Sequence, residues 1–206
     1  MNNALILQSP NPARALFLLF HGVGATAHDL VPLARRLARE FPDAAVVSVP
    51  GPDLSDLGSG LQWFSVLGVT EENRPPRVAA TLPRFLDTVR HWQQRTGVAA
   101  ADTTLIGFSQ GAIMSLQAAQ AQPPVAARVV SLSGRYAELP QAAPAAVRIH
   151  FLHGDADPVI PAGQAQLAAR RLQELQAPVT LDLLPGLGHG IARQTEDLLV
   201  QRLREP

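Results

Sequence analysis

The feature that most constrains this chain is a repeating alternation. Short, near-continuous apolar runs are separated by stretches whose apolar residues recur at helical spacing. Ala15–Phe20, Ala44–Val49, Thr103–Phe108, Arg128–Leu132, Val147–Leu152 and Val179–Leu184 read as strands, with Leu5–Leu7 a weaker seventh. Most are apolar throughout rather than at every second position, which suits strands covered on both faces, the habit of parallel sheets. Between them, Thr26–Phe41 carries Leu30, Leu33, Leu37 and Phe41 at helical spacing, and Thr26 and Asp29 are spaced for a capping box. Pro75–Thr96 opens on prolines, bears the stripe Val78, Leu82, Phe85, Leu86, Val89 and Trp92, and stops at Gly97. Pro83 inside it predicts a kink. Gln110–Gln120, Pro161–Gln176 with Pro161 at its first helical position, and His189–Arg204 complete the helices. The alternation predicts an α/β fold over residues 1–206 as one domain, with a mostly parallel central sheet and helices on both faces.

Composition narrows the function classes. Hydrophobic residues make up 47% of the 206 and charged residues 17%, so a substantial core is available. Lys+Arg and Asp+Glu both total 17, and without a basic excess a broad nucleic-acid footprint is not expected. The absence of cysteine excludes disulfides, cysteine–zinc sites and cysteine nucleophiles, and suits a reducing compartment. No run approaches the ~18 apolar residues of a spanning helix. No basic segment precedes Ala15–Phe20, which Arg14 and His21 bracket, so a cytoplasmic protein without a secretory leader is expected. The oligomeric state is left open, a homodimer being one option. Pro50–Pro76 is long, rich in Gly and Pro and poor in helical pattern, which marks it as a functional loop.

Gly107-Phe108-Ser109-Gln110-Gly111 has the G-x-S-x-G pattern, after a strand and before a small-residue helix. That context lifts the serine hydroxyl onto a sharp turn, where it can act as a nucleophile. A serine needs a base to take its proton, usually a neutral histidine oriented by a carboxylate. Downstream, the run Val147–Leu152 leads into His153-Gly154-Asp155-Ala156-Asp157-Pro158, and Val179–Leu184 leads into Pro185-Gly186-Leu187-Gly188-His189-Gly190. His189 is therefore the candidate base. Asp155 and Asp157 compete for the acid, with Asp157 barely preferred on spacing. His150 and His153 come too early for the Ser, Asp, His order and read as structural; His91, beside Trp92, reads as a surface residue. An oxyanion hole needs two N–H donors: Gln110, just after the serine, and one from His21-Gly22-Val23-Gly24, where Val23 is the candidate.

These pieces together resemble the carboxylesterase, phospholipase and acyl-protein thioesterase branch of the α/β hydrolases, and the stretch Gln62–Arg77 resembles a bacterial esterase subgroup of it. The resemblance rests on Phe20-His21-Gly22-Val23-Gly24, Gln62-Trp63-Phe64, Gly107 to Ala112, His153 to Pro161, and Gly188-His189, and so covers nearly the whole chain. It implies the α/β-hydrolase fold and cleavage of carboxylic esters or thioesters without cofactor or metal. It implies Asp157 as the acid, supports Val23 in the oxyanion hole, and suggests that Trp63 and Phe64 line the substrate site. Leu57, Leu61, Val66 and Leu67 in the same loop favour a small-molecule substrate with an apolar acyl group. Many members carry an aspartate where this chain has Ala25 and Thr26, and no large cap domain is expected between Leu132 and Val147.

Two other readings compete. Gly22-Val23-Gly24-Ala25-Thr26-Ala27 formally matches the dinucleotide fingerprint of an oxidoreductase, which requires an acid at the end of the next strand. That strand ends at Val49 before Pro50-Gly51-Pro52, and Asp53 comes late. A binding module that kept the fold and lost catalysis would have no use for the serine, aspartate and histidine in this order. Because His189 must be neutral to accept the serine proton, kcat/KM is expected to fall on the acid side. A flat rate profile from about pH 5 to about pH 8 would contradict His189 as the base.

Overall fold

The computed structural model describes residues 3–205. In chain order its elements are β1 (Leu5–Gln8), β2 (Ala15–Phe20), α1 (Val31–Glu40), β3 (Ala44–Val49), β4 (Asp53–Leu54), β5 (Leu61–Gln62), α2 (Arg74–Thr96), β6 (Thr103–Phe108), α3 (Gln110–Ala118), β7 (Arg128–Leu132), β8 (Arg148–Gly154), α4 (Gly163–Glu174), β9 (Val179–Leu184) and α5 (Arg193–Arg204). Seven strands form one sheet in the order β1-β3-β2-β6-β7-β8-β9, while β4 and β5 make a small separate ribbon. Among the described residues only β1 pairs antiparallel in the large sheet. Side chains along β2 alternate between two cores: Leu16, Leu18 and Phe20 on one face, Phe17 and Leu19 on the other. α2, α3 and α4 cover the first face, and α1 and α5 the second. Burial on both sides explains why β2 is apolar at every position.

The departures from the sequence reading lie at element ends. Thr26–Phe41 divides into a 3-10 turn, Ala27–Leu30, and α1, because Pro32 has no N–H for a continuous helix and fits the first turn of a new one. The Thr26–Asp29 capping box is present. α2 is one 23-residue helix through Pro83, ended by Gly97 at φ 71°. α4 begins two residues after Pro161, whose carbonyl accepts the Gln164 N–H at 2.9 Å. β8 starts at Arg148 and runs on to Gly154 because its pairing with β9 extends to Leu184. α5 begins at Arg193, so His189 lies in a loop; Gly188 and Gly190 resist helix, and Thr195 Oγ1 accepts the Ala192 N–H at the start. Residues 133–147, between β7 and β8, hold no helix or strand. Among the described residues no helix is long and apolar enough to cross a membrane.

The parallel strands carry function to one edge. β2, β6, β8 and β9 point the same way, so the segments that follow them, which bear His21–Gly24, Ser109, Asp157 and His189, all leave from the carboxyl end of the sheet.

Two buried histidines make this fold acid-sensitive. His150 in β8 is fully buried, with Nδ1 2.8 Å from Thr180 Oγ1. Burial first, and then the Arg128 charge, push its pKa down to about 4. Burial also lowers that of His21. The unfolded chain binds these protons near pH 6.5 and the folded chain refuses them, so stability falls as pH drops from about 6.5 toward 4. Urea unfolding at about pH 7 and about pH 5 is expected to differ by on the order of 1–2 kcal/mol from His150 alone. His150→Gln is expected to flatten this slope whatever its absolute stability, and an unchanged slope would contradict the assignment.

Candidate active site

Ser109 occupies the junction of β6 and α3 at φ 52°, ψ −114°, a left-handed conformation that a side chain adopts only under constraint. Its N–H continues the β6–β7 pairing to Leu132 O at 2.9 Å, while its carbonyl accepts the Ala112 and Ile113 N–H groups that open the helix. The flanking glycines permit the close crossing. A Cβ at Gly107 would run into the backbone of Gly111 and Ala112, and one at Gly111 into the carbonyls of Phe20 and His21.

The structure brings the three candidate side chains into one hydrogen-bonded line. His189 Nε2 lies 2.9 Å from Ser109 Oγ, and His189 Nδ1 lies 2.7 Å from Asp157 Oδ2. Because the carboxylate can only accept, the proton sits on Nδ1, leaving Nε2 free to accept from the serine hydroxyl. Asp157 Oδ1 accepts the N–H groups of Val159 at 2.8 Å and Ile160 at 3.0 Å. Burial of Asp157 opposes its charge, but the His189 hydrogen bond and these two N–H donors outweigh that and hold the carboxyl below its usual range. The Phe108 ring packs against the His189 imidazole with centroids 5.1 Å apart.

The other acidic and basic candidates fall outside this line. Asp155 Oδ1 accepts the Gly186 N–H at 2.7 Å and ties down the turn after β9. His150 is buried in β8, and His91 is half-buried, edge-on to Trp92. His153, read as purely structural, has a closer connection. Its Nε2 donates to Ile160 O at 2.7 Å and lies 3.3 Å from Asp157 Oδ2.

Val23 follows Gly22, and Gln110 follows the serine. Gly22 lies against it: a Cβ there would come 3.2 Å from Ser109 Cβ. Neither the Val23 nor the Gln110 N–H has an acceptor among the described residues. The Val23 loop is fixed by its neighbours. Gly24 N–H donates to Leu61 O at 2.9 Å, and Leu61 N–H donates to Ala25 O at 2.8 Å. His21 Nε2 accepts the Gly51 N–H at 2.7 Å, which places the ring proton on Nδ1, 2.7 Å from Gly22 O. The N–H a dinucleotide fingerprint would offer at Gly24 is thus committed to Leu61, and Asp53 faces Arg84 at 3.3 Å.

Trp63 and Phe64 are both buried, at 2% and 5% exposure. Trp63 packs edge-on against both Phe20 and Phe85, and its Nε1 donates to His21 O at 2.9 Å. A cavity of about 480 Å³ with Trp63, Phe85 and Trp92 in its wall contains none of the three line residues. The Gln110 side chain engages the backbone of the pair, the Trp63 N–H and the Phe64 carbonyl. The variable position of G-x-S-x-G carries no sign of that contact, so the sequence points to the Gln110 N–H alone. Among the described residues, no group of three or more His, Asp or Glu side chains could hold a metal ion.

A mostly parallel sheet clad on both faces, with a strained serine turn at its carboxyl edge, defines an α/β hydrolase. The chain belongs to the phospholipase/carboxylesterase family, which matches residues 1–200. Membership places it among the carboxylic ester hydrolases. It is 47% identical over 200 residues to Esterase YpfH of Escherichia coli (strain K12), covering 97% of this chain and 86% of that protein. The crystal structure of esterase PE8 superposes with a TM-score of 0.87 at 27% identity, covering 98% of this chain and 97% of that one. A carboxylesterase from Mesorhizobium loti shares the fold, with a TM-score of 0.80 at 23% identity over 94% of this chain and 90% of that one.

If the Val23 N–H is an oxyanion donor, its side chain matters little and its amide hydrogen matters a great deal. Val23→Ala is expected to stay within a few-fold of wild-type kcat, while Val23→Pro, which removes the donor, loses roughly 10²–10³-fold. Steady-state ester hydrolysis by the two folded variants checks this, and equal losses would contradict a backbone role.

Proposed function

We propose that the chain hydrolyses carboxylic esters or thioesters with an apolar acyl group through a covalent acyl-enzyme on Ser109. The observation that carries this reading is the hydrogen-bonded line Ser109 Oγ, His189 and Asp157, at 2.9 Å and 2.7 Å. Ser109 Oγ attacks the substrate carbonyl carbon as its proton passes to His189 Nε2. The carbonyl π electrons move onto oxygen, and the Val23 and Gln110 N–H groups receive that negative charge. Asp157 keeps the imidazole in the required tautomer and stabilises its cationic form. The tetrahedral intermediate collapses, the bond to the alcohol or thiol breaks, and His189 returns the proton to the leaving group. Water then repeats the sequence on the acyl-enzyme, with His189 as base, and releases the acid and free Ser109. These steps are complete without a metal or organic cofactor.

The acyl side is assigned to the loop between β3 and α2, with the backbone of Trp63 and Phe64 at its base. Leu54, Leu57 and Leu67 in this loop are exposed at 78%, 65% and 72%, and Val159, two residues after Asp157, at 64%. Apolar side chains in such positions favour an apolar acyl group. We place the reaction in the cytoplasm, as a chain without cysteine suits a reducing compartment.

A fluorophosphonate probe with mass spectrometry, beside a chromogenic ester series of short to medium acyl length, tests the reading. Wild type is expected to carry the label on Ser109 and to turn the esters over. Ser109→Ala is expected to lose about 10⁶-fold in kcat. Label on another residue, or full activity in Ser109→Ala, would contradict it.

A further inference from the structure

The side chain of Gln110 is buried at the first position of α3 and engages the loop between β3 and α2 at two points. Its Oε1 accepts the Trp63 N–H at 2.8 Å, and its Nε2 donates to Phe64 O at 2.6 Å. One amide therefore satisfies a donor and an acceptor on consecutive residues of another segment, as a neighbouring strand would. The backbone N–H of the same residue has no acceptor among the described residues, and Trp63 Nε1 donates to His21 O, at the start of the Val23 loop. Leu61, two residues before Trp63, pairs with Gly24 and Ala25 in that loop. The segment 61–64 thus touches the elements that carry both N–H donors.

We propose that the Gln110 side chain is a positioning residue: it locks segment 61–64 against the nucleophile turn and thereby fixes the spacing of the Val23 and Gln110 N–H groups. This rests on the acyl-transfer reading above and adds to it a role for a side chain at a position where only the backbone was expected to act. The geometry favours catalysis over ground-state binding, because the two donors meet full negative charge only after attack. Loss of the lock therefore lowers kcat and leaves KM for a short acyl ester nearly unchanged. The outer part of the same loop is anchored by Asp56. Its Oδ2 accepts Ser65 Oγ–H at 2.6 Å, Val66 N–H at 3.0 Å and Leu67 N–H at 3.3 Å, and its N–H donates to Gln62 Oε1 at 3.2 Å, while neither group bonds Gln110.

The test compares wild type, Gln110→Met, Gln110→Glu and Asp56→Asn by steady-state hydrolysis of an acetyl and an octanoyl chromogenic ester, with circular dichroism to confirm folding. Gln110→Met keeps the length and removes both hydrogen bonds. Gln110→Glu keeps the acceptor for Trp63 and places an oxygen against Phe64 O, so it carries the comparison if the methionine variant does not fold. The expected result is a fall in kcat of about 10-fold or more in the Gln110 variants, with KM for the acetyl ester within about 3-fold, a split that marks loss of transition-state rather than ground-state contacts. Asp56→Asn is expected to keep kcat and to alter at most KM for the octanoyl ester. Folded Gln110 variants with wild-type kcat, or an Asp56→Asn variant with the same loss, would overturn the assignment while the hydrolase reading stands. Wild type without turnover or Ser109 label would overturn both.

Discussion

The active edge depends on a close crossing of backbones at Ser109. β6 must end, the chain must turn, and α3 must begin within one residue, directly against the end of β2. Gly107 and Gly111 allow that approach; a side chain at either would strike backbone. The left-handed conformation of Ser109 is held by Leu132 O on one side and by the opening turn of α3 on the other. Local strain of this kind costs on the order of 1–3 kcal/mol and persists only when its surroundings over-determine it. Here a parallel strand, a helix and a neighbouring loop all do so, and the result is a hydroxyl presented to an imidazole.

The remaining parts are arranged to keep that hydroxyl's partners from moving. Asp157 is buried, yet its charge is held by two backbone N–H groups and His189. A charge buried with three donors around it is a fixed electrostatic element rather than a liability. The long loop between β3 and α2 is equally constrained. His21, Gly24, Ala25 and Gln110 hold its inner part, and Glu71 at its far end makes a two-point contact with Arg135 at 3.1 Å and 2.7 Å. Such preorganisation is what electrostatic stabilisation of a developing oxyanion demands, since donors already in place need no reorganisation during the reaction.

The layered fold, Ser109 and His189 were legible in the sequence because they follow from local rules, whereas the choice of Asp157 over Asp155 rested on the family resemblance. Apolar runs mark buried strands, and a G-x-S-x-G between strand and helix, followed by acid and base after later strands, implies their convergence at one sheet edge. Element ends were less legible. His189 reads as the start of a helix by spacing, but its partners and two glycines keep it in a loop. The tie between Gln110 and Trp63–Phe64 joins residues more than forty positions apart through a side-chain amide, which leaves no periodic or compositional trace. Trp63 shows the same limit. An aromatic pair in a loop signals burial but does not say which way the rings turn, and here they turn into the core while the backbone bonds the Gln110 side chain.

The most direct test of the account is a crystal structure of the protein after reaction with a fluorophosphonate, whose tetrahedral phosphorus mimics the intermediate. The account predicts phosphorus bonded to Ser109 Oγ, with its non-ester oxygen within about 3 Å of both the Val23 and Gln110 N–H groups. Gln110 would still be bonded to Trp63 and Phe64. A phosphoryl oxygen turned to solvent, or held by other donors, would contradict the account.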